Sequence, residues 1–477
     1  MTFRFPGFRD GHAHPLFAGR ELLGPVLTGC SSIEEIQQVL RQFRADNPRL
    51  TWIDCGSYNR NLAPAGRFDA SWLDAAVADI PVVVHADDHH TCWVNSAALR
   101  VAGLDREVPE LSAGSIDIDD LGRATGVLRE WEAMNLVYVH QPKLSLDDEV
   151  LALERAQFEL LRGGVVGVLD AWIDPGMEQI YLAAEERGKL VLRTNLAPRL
   201  SPATWQTDLD FATRTRAAVD RNASPRLACK TIKVFADGVF GSGTAAMLEP
   251  YESTAVEPAG LGEPLWSEAE LTQAVTSADL SGFQVHIHAI GDGGVRMALN
   301  AIEAMIHANP TRDRRPVLAH VELIATADLV RLRELGVGVN LQPLWARPDD
   351  MLTSCTPRLG PTRVDQLYRF RDLLEAGVNV GFGSDWPVSS PVAFEGIYTA
   401  VNRCLPGAAQ AHSPNQALTL DQAMRAYSIG SAWQLFQEQH QGSDWVELSA
   451  DPTSLPAEQW HQIRTIRAQI ADRLIEL

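Results

Sequence analysis

The chain lacks the cysteine pattern of a disulfide framework and has no long apolar run. Its 477 residues include only six cysteines, which are widely scattered and form no CxxC pair. They therefore indicate reduced thiols rather than disulfides or a zinc knuckle. No apolar run reaches the ~20 residues that a membrane helix needs, and no apolar stretch follows the first arginine as in a signal peptide. We expect a cytoplasmic protein that does not enter a membrane.

Basic residues are also few. Lysine and arginine number 41 against 61 aspartates and glutamates, which gives a net charge of −20, and no basic cluster stands out. This balance argues against nucleic acid and anionic membranes as partners and favours a soluble, acidic protein. The partner that we expect is a small-molecule substrate. With 477 residues, 45% of them hydrophobic, the chain is long enough for one large domain with an insertion, or for two domains.

Short, almost entirely apolar strands alternate with helical segments along most of the chain. This alternation predicts a parallel sheet that is covered by helices on both faces. Eight such strands are predicted, and that number favours a closed (β/α)8 barrel. The predicted strands are 8–12, 165–170, 190–194, 231–235, 284–288, 317–320, 338–342 and 379–382.

Other segments depart from this rhythm. Residues 15–29 have the composition of a loop, and the segment from about 52 to 145 is predicted to be an insertion, because its second half is rich in glycine, aspartate and turn residues. The predicted barrel domain therefore spans 6–430 and includes this insertion. Residues 1–5 and 440–477 are predicted to form a small β appendage.

His12 and His14 are the leading candidates for metal ligands. They lie two residues apart at the end of a strand, so their side chains share one face with that of Asp10. Further candidates lie at or just beyond the ends of later apolar runs, where a (β/α) barrel places its chemistry. These are Lys233, His288, His320 and Asp385.

Four histidines, a carboxylate and a lysine at one barrel mouth would suit one or two Zn²⁺ ions. Bound zinc generates a hydroxide that attacks a carbonyl which the metal also polarises. Asp385 would take the proton of the water and hand it to the leaving amine. Lys233 is a poor ligand while cationic, so it is either carboxylated or an ordinary amine that pairs with Asp237 or reaches the substrate.

The motifs around these residues resemble the metal-dependent amidohydrolase superfamily, in the branch that includes N-substituted formamide deformylase. The likeness runs from Pro6 to about Pro452, and its motifs are specific. The matching stretches are 6–14 (PGFRDGHAH), 90–99 (HTCWVNSAAL), 125–130 (TGVLRE), 232–251, 288–292 (HAIGD) and 383–388 (GSDWPV).

This resemblance implies a distorted (β/α)8 barrel with a small β-sandwich that hydrolyses carbon–nitrogen bonds with bound zinc. It implies that His12 and His14 are ligands on the first strand and that His288 and His320 are the later ligands. It also implies that Lys233 is the site of a bridging carboxylate and that Asp385 is both ligand and general base.

Three features depart from the family pattern. Only five residues precede Pro6, where relatives carry sandwich strands, so we expect a reduced sandwich whose exposed edge is covered by a second copy in a homodimer. Arg9 replaces the usual aliphatic residue on the outward side of the first strand. His286 replaces an apolar residue, and we expect a hydrogen-bonded core histidine there.

Three residues are candidates for substrate contacts. His90 either lines the substrate cleft or belongs to a polar surface loop. Asp237 lies four residues beyond Lys233, and Trp386 directly follows Asp385. Trp386 either shapes an apolar substrate pocket or packs in the interior.

The leading hypothesis is a metal-dependent hydrolase of a non-peptide C–N bond in an amide, a formamide or a cyclic imide. A hydrolytic deaminase of a heterocycle is the second reading. It is disfavoured because such enzymes usually carry a glutamate after the fifth-strand histidine, where this chain has Ala289 to Asp292. An inactive metal-binding scaffold is the third reading, and the presence of Asp385 argues against it.

Overall fold

The computed structural model describes residues 3–86, 89, 91–111, 114–253 and 260–477, and it shows an α/β protein. The strands are β1 Phe3–Phe5, β2 Phe8–Ala13, β3 Ile53–Tyr58, β4 Val82–Ala86, β5 Thr91–Val94, β6 Ser115–Ile118, β7 Ala124–Arg129, β8 Val165–Ile173, β9 Arg193–Pro198, β10 Leu227–Ala228, β11 Thr231–Phe235, β12 Gln284–Ala289, β13 Val317–His320, β14 Gly338–Leu341, β15 Val380–Phe382, β16 Trp445–Leu448, β17 Thr465–Ile470 and β18 Arg473–Glu476.

The α-helices are α1 Pro15–Glu21, α2 Ile33–Asp46, α3 Ala70–Asp74, α4 Ser96–Val101, α5 Glu130–Tyr138, α6 Leu146–Arg162, α7 Met177–Glu186, α8 Trp205–Asn222, α9 Glu268–Leu280, α10 Asp292–Ala308, α11 Thr326–Glu334, α12 Asp350–Val364, α13 Phe370–Glu375, α14 Ala393–Asn402, α15 Leu420–Arg425 and α16 Ser431–Gln434. Among the helices that the structure describes, none is long and apolar enough to cross a membrane. The chain divides into two compact units, one formed by residues 1–15 and 157–477 and the other by residues 16–156.

Two parallel sheets carry the larger unit. One has the strand order β10-β9-β8-β2, and the other has the order β11-β12-β13-β14-β15. A parallel bridge between Arg199 and Lys233 links the end of β9 to β11. Their strands are almost entirely buried, which explains why the sequence reads as apolar runs. Each of the eight strands predicted from the sequence has a counterpart here.

A four-stranded antiparallel sheet with the order β1-β16-β17-β18 joins the first residues of the chain to the last. The predicted β segments at both ends of the chain supply its strands. Arg9, on neighbouring β2, is fully buried. Its Nη2 atom lies 3.8 Å from Oδ2 of Asp444, the residue just before β16. Arg9 thus lies beside a buried carboxylate from the far end of the chain.

The smaller unit is built on a five-stranded sheet with the order β3-β4-β5-β7-β6. The side chains of β4 alternate between two apolar clusters, so that Val82 and Val84 pack with α2, whereas Val83 packs with α5. This unit begins before the insertion that was predicted at about residue 52. The prediction of a loop at 15–29 was wrong over the first seven residues, because α1 begins at Pro15, and proline is favoured at the first position of a helix.

The parallel order places the predicted ligands at one edge of the larger unit. His12 lies near the end of β2, and His320 is the last residue of β13. Lys233 is the central residue of β11, and His288 is the last but one residue of β12. Asp385 follows β15 by three residues. Since the carboxyl ends of parallel strands share an edge, residues from across the chain converge there.

Candidate metal centre

Two histidines and one aspartate form the candidate metal centre. His12, His320 and Asp385 are buried, and each offers a ligand atom that lies within 4.8 Å of the other two. Nε2 of His12 lies 3.4 Å from Oδ1 of Asp385, and the rings of His12 and His320 are 4.8 Å apart. Imidazole nitrogen and carboxylate oxygen are the donors that zinc takes in N/O sites. The donor set therefore fits a divalent metal.

His14 extends this group towards the solvent. Its Nε2 atom lies 3.0 Å from Oδ1 of Asp385, and the side chains of both residues are 11% exposed. The backbone N–H of His14 donates to the carbonyl of Trp386 at 2.8 Å, which holds the HxH segment against the loop after β15.

A buried carboxylate connects the end of β2 to the loop that carries Asp385. Asp10 accepts hydrogen bonds from the backbone N–H of Ser384 at 3.0 Å, the hydroxyl of Ser384 at 2.5 Å and the backbone N–H of His12 at 3.1 Å. The backbone N–H of Asp385 donates to the carbonyl of His12 at 2.7 Å. Burial raises the pKa of Asp10 to about 6 against the opposing effect of the Ser384 and His12 hydrogen bonds. These bonds hold His12 and Asp385 side by side.

Burial and mutual charge control the protonation of this group. Burial, together with the nearby Lys233 charge, holds the pKa of His12 well below its usual range, and burial with His288 does the same for His320. Both rings are therefore neutral, the form that binds a metal. Burial alone would raise the pKa of Asp385, but the hydrogen bond and charge of His14, together with electrostatic effects of His320 and Lys233, outweigh it and bring the pKa to about 2. The carboxylate stays ionised.

Lys233 contacts the centre from inside the larger unit. It is fully buried, with Nζ 3.2 Å from Nε2 of His12 and 4.5 Å from the ring centroid of Phe235. Burial lowers the pKa of this lysine to about 7, although the charge of Asp385 opposes the shift. Lys233 lies beside the three-residue group. This position is compatible both with a carboxylated lysine that bridges two metal ions and with an amine that pairs with a carboxylate.

His288 lies next to the centre but faces a carbonyl. Its ring is 4.5 Å from that of His320, and its Nε2 atom lies 3.1 Å from the Gly238 oxygen. Asp237 lies 3.8 Å from the same nitrogen. The structure does not place His288 in the three-residue group, and its predicted role as a ligand stays a prediction.

The three predicted substrate contacts differ in their surroundings. His90 lies outside the described residues. Asp237 is buried, and its carboxylate accepts backbone N–H bonds from Ala246, Ile290 and Gly291 at 2.9–3.0 Å, an arrangement that shapes the loops around it. Trp386 is half-buried. Its role in substrate binding, like that of Asp237, stays a prediction.

Aromatic side chains surround the histidines. The ring of Trp345 stacks on that of His320 at 5.3 Å with an interplanar angle of 8°. Phe235 lies 5.0 Å from the ring of His288, and Trp172 lies 6.3 Å from that of His14. Phe235 was not singled out from the sequence, although it ends the strand that carries Lys233.

Sequence reasoning also missed the polar side chains behind the ligand rings. His286 is buried and hydrogen-bonded, as expected, but its partner is His12 itself, with 2.8 Å between Nε2 of His286 and Nδ1 of His12. Gln342 accepts from Nδ1 of His320 at 2.8 Å. One sequence feature could have indicated these partners of the ligand rings. Asn340 and Gln342 are two amide residues, two positions apart, at the end of an apolar strand.

Comparisons with known proteins identify the family of the chain. The sequence profile of the amidohydrolase family matches residues 4–465. The protein LONG AFTER FAR-RED 3 of Arabidopsis thaliana is 30% identical over 470 residues, which cover 96% of this chain and 78% of that protein. The N-substituted formamide deformylase of Arthrobacter pascens is 24% identical over 490 residues, which cover 98% of this chain and 86% of that enzyme.

A solved structure shares the fold. It is described as a metal-dependent hydrolase from Pyrococcus horikoshii OT3 and superimposes with a TM-score of 0.74 at 24% identity. The superposition covers 96% of this chain and 88% of that chain.

Proposed function

Because the chain belongs to the amidohydrolase family, we propose that it is a metal-dependent hydrolase that cleaves a carbon–nitrogen bond other than a peptide bond. The observation that carries the proposal is the group of His12, His320 and Asp385, with ligand atoms within 4.8 Å of one another. Likeness to a formamide deformylase over most of both chains supports an amide, a formamide or a cyclic imide as the substrate class.

We propose zinc as the metal, with His12, His320 and Asp385 as its ligands and with His14 and His288 completing the site. A bound zinc ion would polarise the scissile carbonyl and lower the pKa of a water molecule. The three-residue group supports one ion. A second ion would need Lys233 as a carboxylated bridge, so the metal count distinguishes the two roles of this lysine.

The chain's own residues supply proton transfer and orientation. Asp385 is ionised because its pKa is about 2, and it is partly exposed, so its carboxylate accepts the proton of the attacking water and returns it to the leaving nitrogen. His14 holds Oδ1 of Asp385 through the 3.0 Å contact. The aromatic rings of Trp172, Phe235 and Trp345 restrict water around the histidines.

We further propose that the eight parallel strands close into a distorted (β/α)8 barrel. Two links support closure, the bridge between Arg199 and Lys233 and the hydrogen bond from the Asp385 N–H to the His12 carbonyl. A barrel brings the ends of β2 and β15 together, as the position of Asp385 beside His12 requires.

A substrate panel tests the proposed activity. Zinc-loaded protein is incubated with an N-substituted formamide, an anilide, a cyclic imide and an aminopurine, and the release of formate, amine, carboxylate and ammonia is measured. We expect turnover of at least one of the first three, and strongly reduced turnover by the Asp385→Asn variant prepared in parallel. Ammonia release from the aminopurine alone would indicate a deaminase. No turnover of any compound by metal-loaded protein would favour a scaffold.

A further inference from the structure

We propose that a chain of buried polar side chains joins the outer nitrogens of His12 and His320 and positions these two ligands as a coupled pair. We name this chain the amide relay. It consists of His286, Gln434, Asn340 and Gln342. The inference rests on the proposed function, because it takes His12 and His320 as metal ligands.

The end of the relay at His320 has a defined direction. Oε1 of Gln342 lies 2.8 Å from Nδ1 of His320. An amide oxygen can only accept, so Nδ1 of His320 carries the hydrogen and Nε2 keeps its lone pair. The hydrogen bond to Gln342 therefore presents the ring in the form that a metal needs.

The other end of the relay holds His12. Nδ1 of His12 lies 2.8 Å from Nε2 of His286, which is fully buried. A metal on Nε2 of His12 requires the hydrogen on Nδ1, which then donates to Nε2 of His286, so Nδ1 of His286 carries its own hydrogen and only packs 3.3 Å from Nε2 of Gln434. The Gln434 amide donates instead to the Gly11 carbonyl at 2.6 Å, directly before His12. Gln434 thus contacts both the ring behind His12 and the backbone just before it.

Asn340 connects the two ends. Its Nδ2 atom donates to Oε1 of Gln434 at 2.8 Å, and its Oδ1 atom accepts from Nε2 of Gln342 at 2.9 Å. The amides are arranged head to tail, and all three are at most 2% exposed. In a low-dielectric interior such bonds strengthen one another, and a broken one leaves a buried polar group unpaired.

Two glycines beside the metal centre provide the room that Asn340 occupies. A Cβ atom at Gly11 would lie 2.2 Å from Nδ2 of Asn340, and one at Gly383 would lie 2.7 Å from its Oδ1. Gly11 precedes His12, and Gly383 lies two residues before Asp385. The relay is therefore packed directly against the backbone that carries the ligands.

Metal affinity should depend on residues that touch no metal. Partners of ligating histidines typically change metal affinity about 10–100-fold when they are replaced. The amide of Asn340 bonds Gln434 and Gln342 rather than a ligand ring, so its replacement acts on the ligands through the relay and through the glycine backbone packed against it. Gln342 contacts the ring of His320, and His286 contacts the ring of His12. If replacing both residues changes metal affinity non-additively, the two rings are connected through the relay.

The first experiment compares two asparagines. Metal-free wild type, Asn340→Leu and Asn195→Leu are titrated with Co²⁺ in competition with a chelator, and the visible Co²⁺ spectrum is recorded. Asn195 is the matched control, because it is fully buried on β9 and its amide bonds the Thr231 hydroxyl at 2.8 Å and the Lys230 N–H at 2.9 Å. Thermal unfolding of the metal-free proteins measures stability separately.

We expect Asn340→Leu to bind Co²⁺ at least about 10-fold more weakly than wild type and to change its spectrum. Asn195→Leu should keep the wild-type affinity and spectrum even where it lowers stability. Wild-type affinity and spectrum in Asn340→Leu would overturn the relay while leaving the proposed function intact. Failure of the wild type itself to bind any metal would overturn both.

A second pair of variants decides the question if Asn340→Leu does not fold. Gln342→Met and His286→Phe are made singly and together, and their Co²⁺ affinities are compared. If His12 and His320 are coupled, the fold-loss of Co²⁺ affinity in the double variant should be smaller than the product of the fold-losses in the two single variants. Losses that multiply would show that His12 and His320 are held independently, and this result would contradict the relay.

Discussion

Nε2 of His14 lies 3.0 Å from Oδ1 of Asp385, so the first-strand HxH pair and the last-strand aspartate meet at one carboxylate oxygen. The same oxygen lies 3.4 Å from Nε2 of His12. His14 and Asp385 are each 11% exposed, whereas His12 is 1% exposed. The side chain of Asp385 is therefore more accessible to solvent than that of His12.

Replacing Asp385 with asparagine should abolish most of the activity. The amide keeps the volume but loses the charge that accepts a proton, so we expect kcat to fall on the order of 10²–10⁴-fold. Steady-state rates on the best substrate of the panel measure the loss. Asp451→Asn is the control, because the carboxylate of that half-buried aspartate accepts the N–H and the hydroxyl of Thr453, close to it in the chain. Equal rates for wild type and Asp385→Asn would refute the role of the base.

Replacing Gly11 with alanine should destabilise the protein and weaken metal binding together. The added methyl group would lie 2.2 Å from the Asn340 amide and 2.5 Å from that of Gln434, so the packed side chains must move. Overpacking of this kind costs about 1–3 kcal/mol. Denaturant unfolding and Co²⁺ titration measure the two effects. Gly442→Ala is the matched control, since no described atom beyond its two chain neighbours lies within 4 Å of the position that its added methyl group would take. The account is contradicted if both variants behave alike.

Removing the carboxylate of Asp444 should strongly destabilise the fold. The carboxylate of Asp444 accepts hydrogen bonds from Nε of Arg193 at 2.5 Å and from Nη2 of Arg193 at 3.0 Å. Its Oδ2 atom also lies 3.8 Å from Nη2 of Arg9. Asp444→Asn leaves two buried guanidinium groups without their counter-charge, which costs about 3–5 kcal/mol. Urea unfolding measures this loss. Asp472→Asn, which breaks a pair with Arg226 at an aspartate that is 76% exposed, should cost far less.

The smaller unit should make stability depend on pH. Burial raises the pKa of Glu21 to about 7, above the ~4.3 of an unfolded glutamate. The folded state therefore binds this proton more tightly, and the free energy of unfolding falls as the pH rises from about 4.3 to about 7. Glu21→Gln should flatten that slope in urea unfolding of the metal-free protein, whereas Glu34→Gln, at an exposed position on α2, should not. An unchanged slope in Glu21→Gln would contradict the predicted titration.

Most of the scaffold was readable from sequence because its signals are local. Eight apolar runs predicted the parallel strands, since strands buried on both faces must be apolar throughout. The spacing of His12 and His14 predicted a metal site, because it matches the side-chain period of a strand. Lys233 and Asp385 followed from the ends of their runs and from the family motifs.

The remaining features depend on distant contacts that no local pattern records. His286, Asn340 and Gln434 are separated by dozens of residues, and only the folded chain shows that they form one relay. Arg9 is a charged residue on a strand, and the sequence around it does not show its partner. Only the folded chain shows that Asp444, from the far end of the chain, lies beside it. Helix α1 is only seven residues long, too short to show a helical period, and its proline looks like a loop residue.

The most direct test of the central claim is the metal content of the purified protein, measured by mass spectrometry after dialysis against zinc and then against metal-free buffer. The account predicts one or two zinc ions per wild-type chain and none in the His12→Ala, His320→Ala double variant. Two ions would assign Lys233 the bridging role, and one would leave it an amine. A wild-type protein that retains no metal, or a double variant that retains as much as the wild type, would contradict a metal centre at these residues.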